Sequence, residues 1–156
     1  MMTVFAAKKE NFEKLQALYY EHSAWLEKIA PDYFRAAYHD EALFTGIVEF
    51  KSSDILFAEE EGVPVGMLTV WTSQRPLSPH INPRKYACIS NFTFASETAR
   101  DALLSAARVW AGEHGLRHIQ ISLHTNDVDN RKFYTGMGFT PEITTYTLEI
   151  LSPNEE

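Results

Sequence analysis

Apolar and polar positions alternate with changing period along the chain, and the changes mark the elements. Thr3 to Ala7 reads as a short strand. Asn11 then stands as an N-cap before Phe12, Leu15, Leu18, Tyr19 and His22, which recur at helical spacing. Pro31 suits the first position of a second helix running through Tyr33, Phe34, Ala37 and Tyr38. Ile55 to Glu59 and Val65 to Thr72 are β-rich runs joined across Glu61-Gly62, which predicts an antiparallel hairpin. Pro76, Pro79 and Pro83 remove backbone donors from Gln74 to Arg84, so that stretch is a loop.

Tyr86 to Phe94 reads as a strand. Ala99 to His114 reads as a helix with Ala102, Leu103, Ala106, Ala107 and Trp110 on one apolar stripe, closed at Gly115. Leu116 to Leu123 sets Ile119, Ile121 and Leu123 against His118, Gln120 and Ser122, the alternation of a strand with one polar face. Asp127 to Tyr134 predicts a short helix capped by Asp127 with Asn130 at its third position, and Thr144 to Ile150 alternates again as a closing strand. This order predicts an α/β fold in which a central mixed sheet is flanked by helices, with a helix crossing between parallel strands in the second half. Residues 1–156 fit one domain.

Composition narrows the function classes. A formal charge of -7 disfavours nucleic acid, whose phosphates are bound through many Lys and Arg side chains. No run of apolar residues is long enough to span a bilayer, so no membrane partner is expected. Cys88 is the single cysteine, and no Cys or His pair has structural-zinc spacing, which speaks for a reducing cytoplasmic setting and no metal site.

The segment Asn126-Asp127-Val128-Asp129-Asn130-Arg131-Lys132-Phe133-Tyr134-Thr135-Gly136-Met137-Gly138-Phe139 joins an asparagine, a short helix, a Phe-Tyr pair and a Gly-Phe pair. It resembles the signature of the GNAT superfamily of acyl-CoA-dependent N-acetyltransferases, and the element order from Thr3 to Ile150 is similar to that family as well. The resemblance implies acetyl-CoA as co-substrate and an amine of a small molecule or peptide as acceptor. It implies that backbone amides of Asn91, Phe92, Thr93 and Phe94 hold the pantetheine arm, with Ser96, Thr98, Arg100, Asn126 and Asn130 also on the cofactor. Tyr134 would then protonate the departing thiolate, a task suited to a phenol that ordinarily titrates near about 10 facing a thiol near about 8.5.

The loop expected to wrap the pyrophosphate departs from the family pattern. Ala95-Ser96-Glu97-Thr98-Ala99-Arg100-Asp101-Ala102 has no glycine, and Glu97 and Asp101 bring carboxylates to the anion site. Thr98 and Asp101 fit a capping box that would use helix amides otherwise open to phosphate. A second reading therefore stands beside the enzyme: a GNAT-like fold kept as a ligand-binding or protein-interaction module. No base is assigned. Ser90 and Asn91 suit the orienting of a water, and Glu59 and His80 are alternatives. Tyr19, Tyr20, His22, Trp25, Tyr33 and Trp71 are candidates for an acceptor pocket or for core, and a homodimer stays open.

Overall fold

A computed structural model describes residues 1–150. The elements are β1 (Met2–Ala6), α1 (Phe12–Ile29), α2 (Glu41–Glu49), β2 (Ser53–Glu60), β3 (Val63–Gln74), β4 (Lys85–Phe94), α3 (Glu97–Glu113), β5 (Ile119–Ile121) and α4 (Val128–Gly136). The five strands lie in the order β1-β2-β3-β4-β5, antiparallel except for the parallel β4–β5 pair that α3 connects. The chain divides into two units at Asn126, with the sheet, α1, α2 and α3 in the first.

The pleat sorts side chains between the two faces. Ile55, Phe57 and Met67 pack with Leu15 and Tyr19 of α1 and Phe44 of α2, forming the core of one face. On the other, Trp110 of α3 donates to Asp54 at 2.8 Å, and α3 presses so closely on β3 that only glycine fits at position 66. A Cβ there would stand 2.9 Å from Leu103 Cδ1 and 2.9 Å from the Thr93 carbonyl oxygen. Gly66→Ala is therefore expected to destabilise the fold by about 1–3 kcal/mol in urea denaturation, because backbone cannot yield as a side chain can. Wild-type stability would mean that α3 and β4 give way freely.

The hairpin forms as read, with Glu61 and Gly62 both at positive φ as a type I′ turn requires. The α3 helix also forms, and closes around Gly115 through Leu116 N–H to Ala111 C=O at 2.8 Å and Gly115 N–H to Gly112 C=O at 3.1 Å.

Three expectations need correction. The helix expected from Pro31 to Tyr38 is a single turn followed by irregular chain. Side chains of α1 take its backbone groups instead: Glu27 accepts from Ala36 N–H, Ser23 from Ala37 N–H and Gln16 from His39 N–H. The second helix starts later, at Glu41, where the Asp40 carboxylate caps Leu43 N–H at 2.8 Å. The cap of α3 is Ser96, accepting from Ala99 N–H at 3.1 Å, so Thr98 and Asp101 lie inside the helix and form no capping box. Finally, Thr144 to Ile150 alternates but has no strand partner among the described residues, and Tyr146, Leu148 and Ile150 are exposed. Alternation marks a surface suited to a ladder and does not itself supply the neighbour.

Candidate active site

The site begins with an irregularity in β4. Gln74 to Thr69 pair in register with Lys85 to Ser90, but the next pairing is Met67 with Thr93, so β4 carries one extra residue opposite Leu68. Asn91 absorbs it with φ of 49°, a left-handed conformation that asparagine tolerates better than most residues. On the other side the ladder with β5 ends at Ile89–Ile121. Ser90 to Phe94 thus leave β5 behind, and this stretch has no strand neighbour on that side among the described residues. Backbone donors freed in this way are suited to an extended, amide-bearing ligand.

Beyond β4, Ser96 occupies one amide at the start of α3, and Arg100 N–H already bonds to the Ser96 carbonyl. The Glu97 and Thr98 amides of the first turn remain for an anion. Arg100 is turned to its own helix: Nε donates to Asp101 at 3.0 Å, Glu97 lies 4.0 Å from Nη1, and the guanidinium stands over the Phe94 ring. Asn126 donates from its side chain to the Ile29 carbonyl at 2.8 Å. In the second unit, Asn130 is bound to the capping Asp127, with Nδ2 2.9 Å from Oδ2. Both asparagines therefore have structural work of their own.

A cavity of about 430 Å³ opens on the α1–α2 face of the sheet. Leu43 and Ile47 of α2, with Phe50 and Trp71, make its apolar wall. Polar atoms come from His39, Thr69, Ser90 and Asn91, so the cavity reaches the irregular part of β4. No Asp, Glu, Lys or Arg lines it among the described residues.

His39 went unnoticed in the sequence. Its amide is held by Gln16 Oε1 at 3.0 Å, and its ring lies edge-on to Tyr19, with centroids 4.2 Å apart. Its Nδ1 is 2.9 Å from the Asp40 carbonyl oxygen. A carbonyl only accepts, so Nδ1 carries the proton in that bond and Nε2 keeps its lone pair in the neutral ring. The signal available in the sequence was the adjacent His39-Asp40 pair before Leu43 and Phe44, a cap at the mouth of a helix.

Beneath the cavity the hydroxyls of Tyr19 and Thr69 are buried neighbours, and neither makes a hydrogen bond of good geometry. Burial pushes the Tyr19 phenol well above its ordinary value of 10, partly offset by Thr69. Tyr19→Phe is therefore expected to hold or raise stability, by up to about 1 kcal/mol. The unfolded phenol ionises at lower pH than the folded one, so this residue's contribution is intact below pH 10 and fades as pH rises above it. Alkaline melts should show the variant to be more resistant; a loss of stability at neutral pH would reveal a working hydrogen bond.

The other candidates are dispersed. Of the six proposed pocket residues only Trp71 lines the cavity. Tyr20 packs on Tyr38, His22 on Trp25, and Tyr33 on His124. Glu59 is ion-paired with Lys14, and His80 is exposed in the proline-rich loop. Burial raises the Cys88 thiol, with a smaller opposing effect from Ser73, as suits a packed residue and not a nucleophile. Tyr134 is buried on α4, its ring 5.1 Å from Phe133 and 5.2 Å from Phe139. Among the described residues no cluster of His, Cys, Asp and Glu could hold a metal ion, and no helix is long and apolar enough to cross a membrane.

No protein-family model matches the sequence, and no curated protein matches it. Solved structures do. A mutant of the BH1408 protein from Bacillus halodurans superposes with a TM-score of 0.83 at 20% identity, over 96% of this chain and 99% of that one. An aminoglycoside acetyltransferase from an uncultured soil metagenomic sample gives 0.69 at 18% identity, over 97% and 99%. Ribosomal-protein-alanine N-acetyltransferase from Brucella melitensis biovar Abortus 2308 gives 0.67 at 12% identity, over 96% and 99%. At such identities the likeness shows a common fold.

Proposed function

We propose that this chain, which has the fold of the GNAT acyltransferases, moves an acetyl group from acetyl-CoA to an amine in the cytoplasm. The observation that carries the reading is the break in β4, where the extra residue at Asn91 and the end of the β5 ladder at Ile89 release backbone beside a cavity. Asn91 to Phe94 would bind the pantetheine amides. Glu97 and Thr98 N–H groups, with Ser96 and Arg100, would meet the phosphates, Arg100 by exchanging Asp101 for phosphate. Asn126 and Asn130 remain proposed cofactor contacts, each of which would have to leave its present partner. Tyr134 would supply the proton that the thiolate takes up.

Glu97 and Asp101 favour the rival reading, a binding module without turnover, because a carboxylate at a helix N-terminus opposes a second anion there. Calorimetric titration separates the two. Acetyl-CoA and CoA are expected to bind in the micromolar range, and pantetheine lacking the nucleotide more weakly. Absence of binding at millimolar acetyl-CoA would support the module and remove the enzyme.

A further inference from the structure

The geometry points to an acceptor class and to the group that activates it: the cavity takes a primary monoamine on a flat apolar body, and His39 Nε2 removes its proton. This rests on the acyl-transfer reading above.

The walls decide the class. Phe50 and Trp71 supply aromatic surface and Leu43 aliphatic surface, in a volume suited to one ring and a short side chain. No carboxylate among the described residues lines the cavity, so a polyamine would have to leave water at several cationic groups without a counter-charge. One ammonium avoids that if a base can neutralise it. Ser52, Thr72, Ser90 and Asn91 also line the cavity and bring polar groups beside its apolar wall.

His39 is prepared as that base. The Asp40 carbonyl holds the proton on Nδ1, Gln16 holds the backbone, and the Tyr19 and Phe44 rings limit rotation of the imidazole. Nε2 has no hydrogen-bond partner among the described residues, and His39 and Asn91 line the same cavity. An amine there lies beside the part of β4 proposed to hold the thioester. In the reaction Nε2 takes one proton from the ammonium, and the freed nitrogen pair forms the N–C bond to the acetyl carbon. The C–S bond breaks with its electron pair on sulfur, which takes the Tyr134 proton as proposed above. The second nitrogen proton makes good that loss by way of solvent, and the imidazolium later returns its proton to water.

The test joins binding to turnover. Calorimetry with 2-phenylethylamine and with spermidine, each with and without CoA, is expected to show the aromatic monoamine binding at least about tenfold tighter, and Trp71→Ala should weaken it by a similar factor. No binding of 2-phenylethylamine, or equal or tighter binding of spermidine, overturns the proposed class. Thiol release from acetyl-CoA with 2-phenylethylamine is expected to fall about a hundredfold in kcat for His39→Gln, at unchanged amine affinity. Added imidazole should restore part of the rate to His39→Ala, which a merely structural histidine would not allow. Wild-type kcat in His39→Gln, or a loss explained by a lowered melting temperature and not rescued, overturns the base. If the monoamine binds but the wild-type protein releases no thiol, acyl transfer and the base fall together, while the pocket's ligand class stands.

Discussion

Phe44→Ala is expected to cost about 3–5 kcal/mol, the range for removing a fully buried aromatic side chain, and to be the most destabilising single change considered. Phe44 is inaccessible to solvent and joins α2 to the rest of the fold through its contacts with Phe12, Tyr19 and His39. Its loss would leave a void behind the imidazole and under the helix that walls the cavity. Urea denaturation should show a lower midpoint with an unchanged slope, and Phe44→Leu should recover most of the difference. A cost below about 1 kcal/mol would mean that α2 is not anchored through this ring.

Tyr134→Phe is expected to lower kcat by about 10²–10⁴-fold, the usual contribution of a positioned proton donor, while leaving acetyl-CoA affinity near its wild-type value. The ring would keep its packing between Phe133 and Phe139, so a thermal melt should move little. The measurement is thiol release at saturating acetyl-CoA, paired with calorimetry on the same preparation. Undiminished turnover would take Tyr134 out of the chemistry and leave it as a buried aromatic.

The elements most legible in the sequence were those whose signal is local and redundant. In α3 an apolar stripe and a terminal glycine agree, and in the β2–β3 hairpin two β-rich runs flank a residue pair that accepts the turn. The second helix was misplaced because Pro31 and the aromatics after it imitate a helix start, whereas Asp40 with Leu43, Phe44, Ile47 and Val48 provides the better one. What decides between them is tertiary: Ser23, Glu27 and Gln16 of α1 satisfy the backbone of the intervening segment, and no periodicity records that. Competition between neighbouring oxygens likewise moved the α3 cap from Thr98 to Ser96. At the site, strand β4 could be read, but its extra residue could not, since a bulge is visible only against the partner strand. His39 was hidden for the same reason: its tautomer depends on a carbonyl and its setting on rings from two helices.

The extra residue at Asn91 also divides β4 into two halves that are out of phase. Up to Ser90 the strand shares one count with β3, and from Thr93 onward it keeps another. Removing Asn91 would let the halves fall into step, mend the ladder and relieve the positive φ, giving a more regular sheet. It would also bring the following residues into the wrong register with the start of α3 and close the gap beside the cavity. Regularity of the sheet and the opening beside the cavity therefore pull against each other at this one residue.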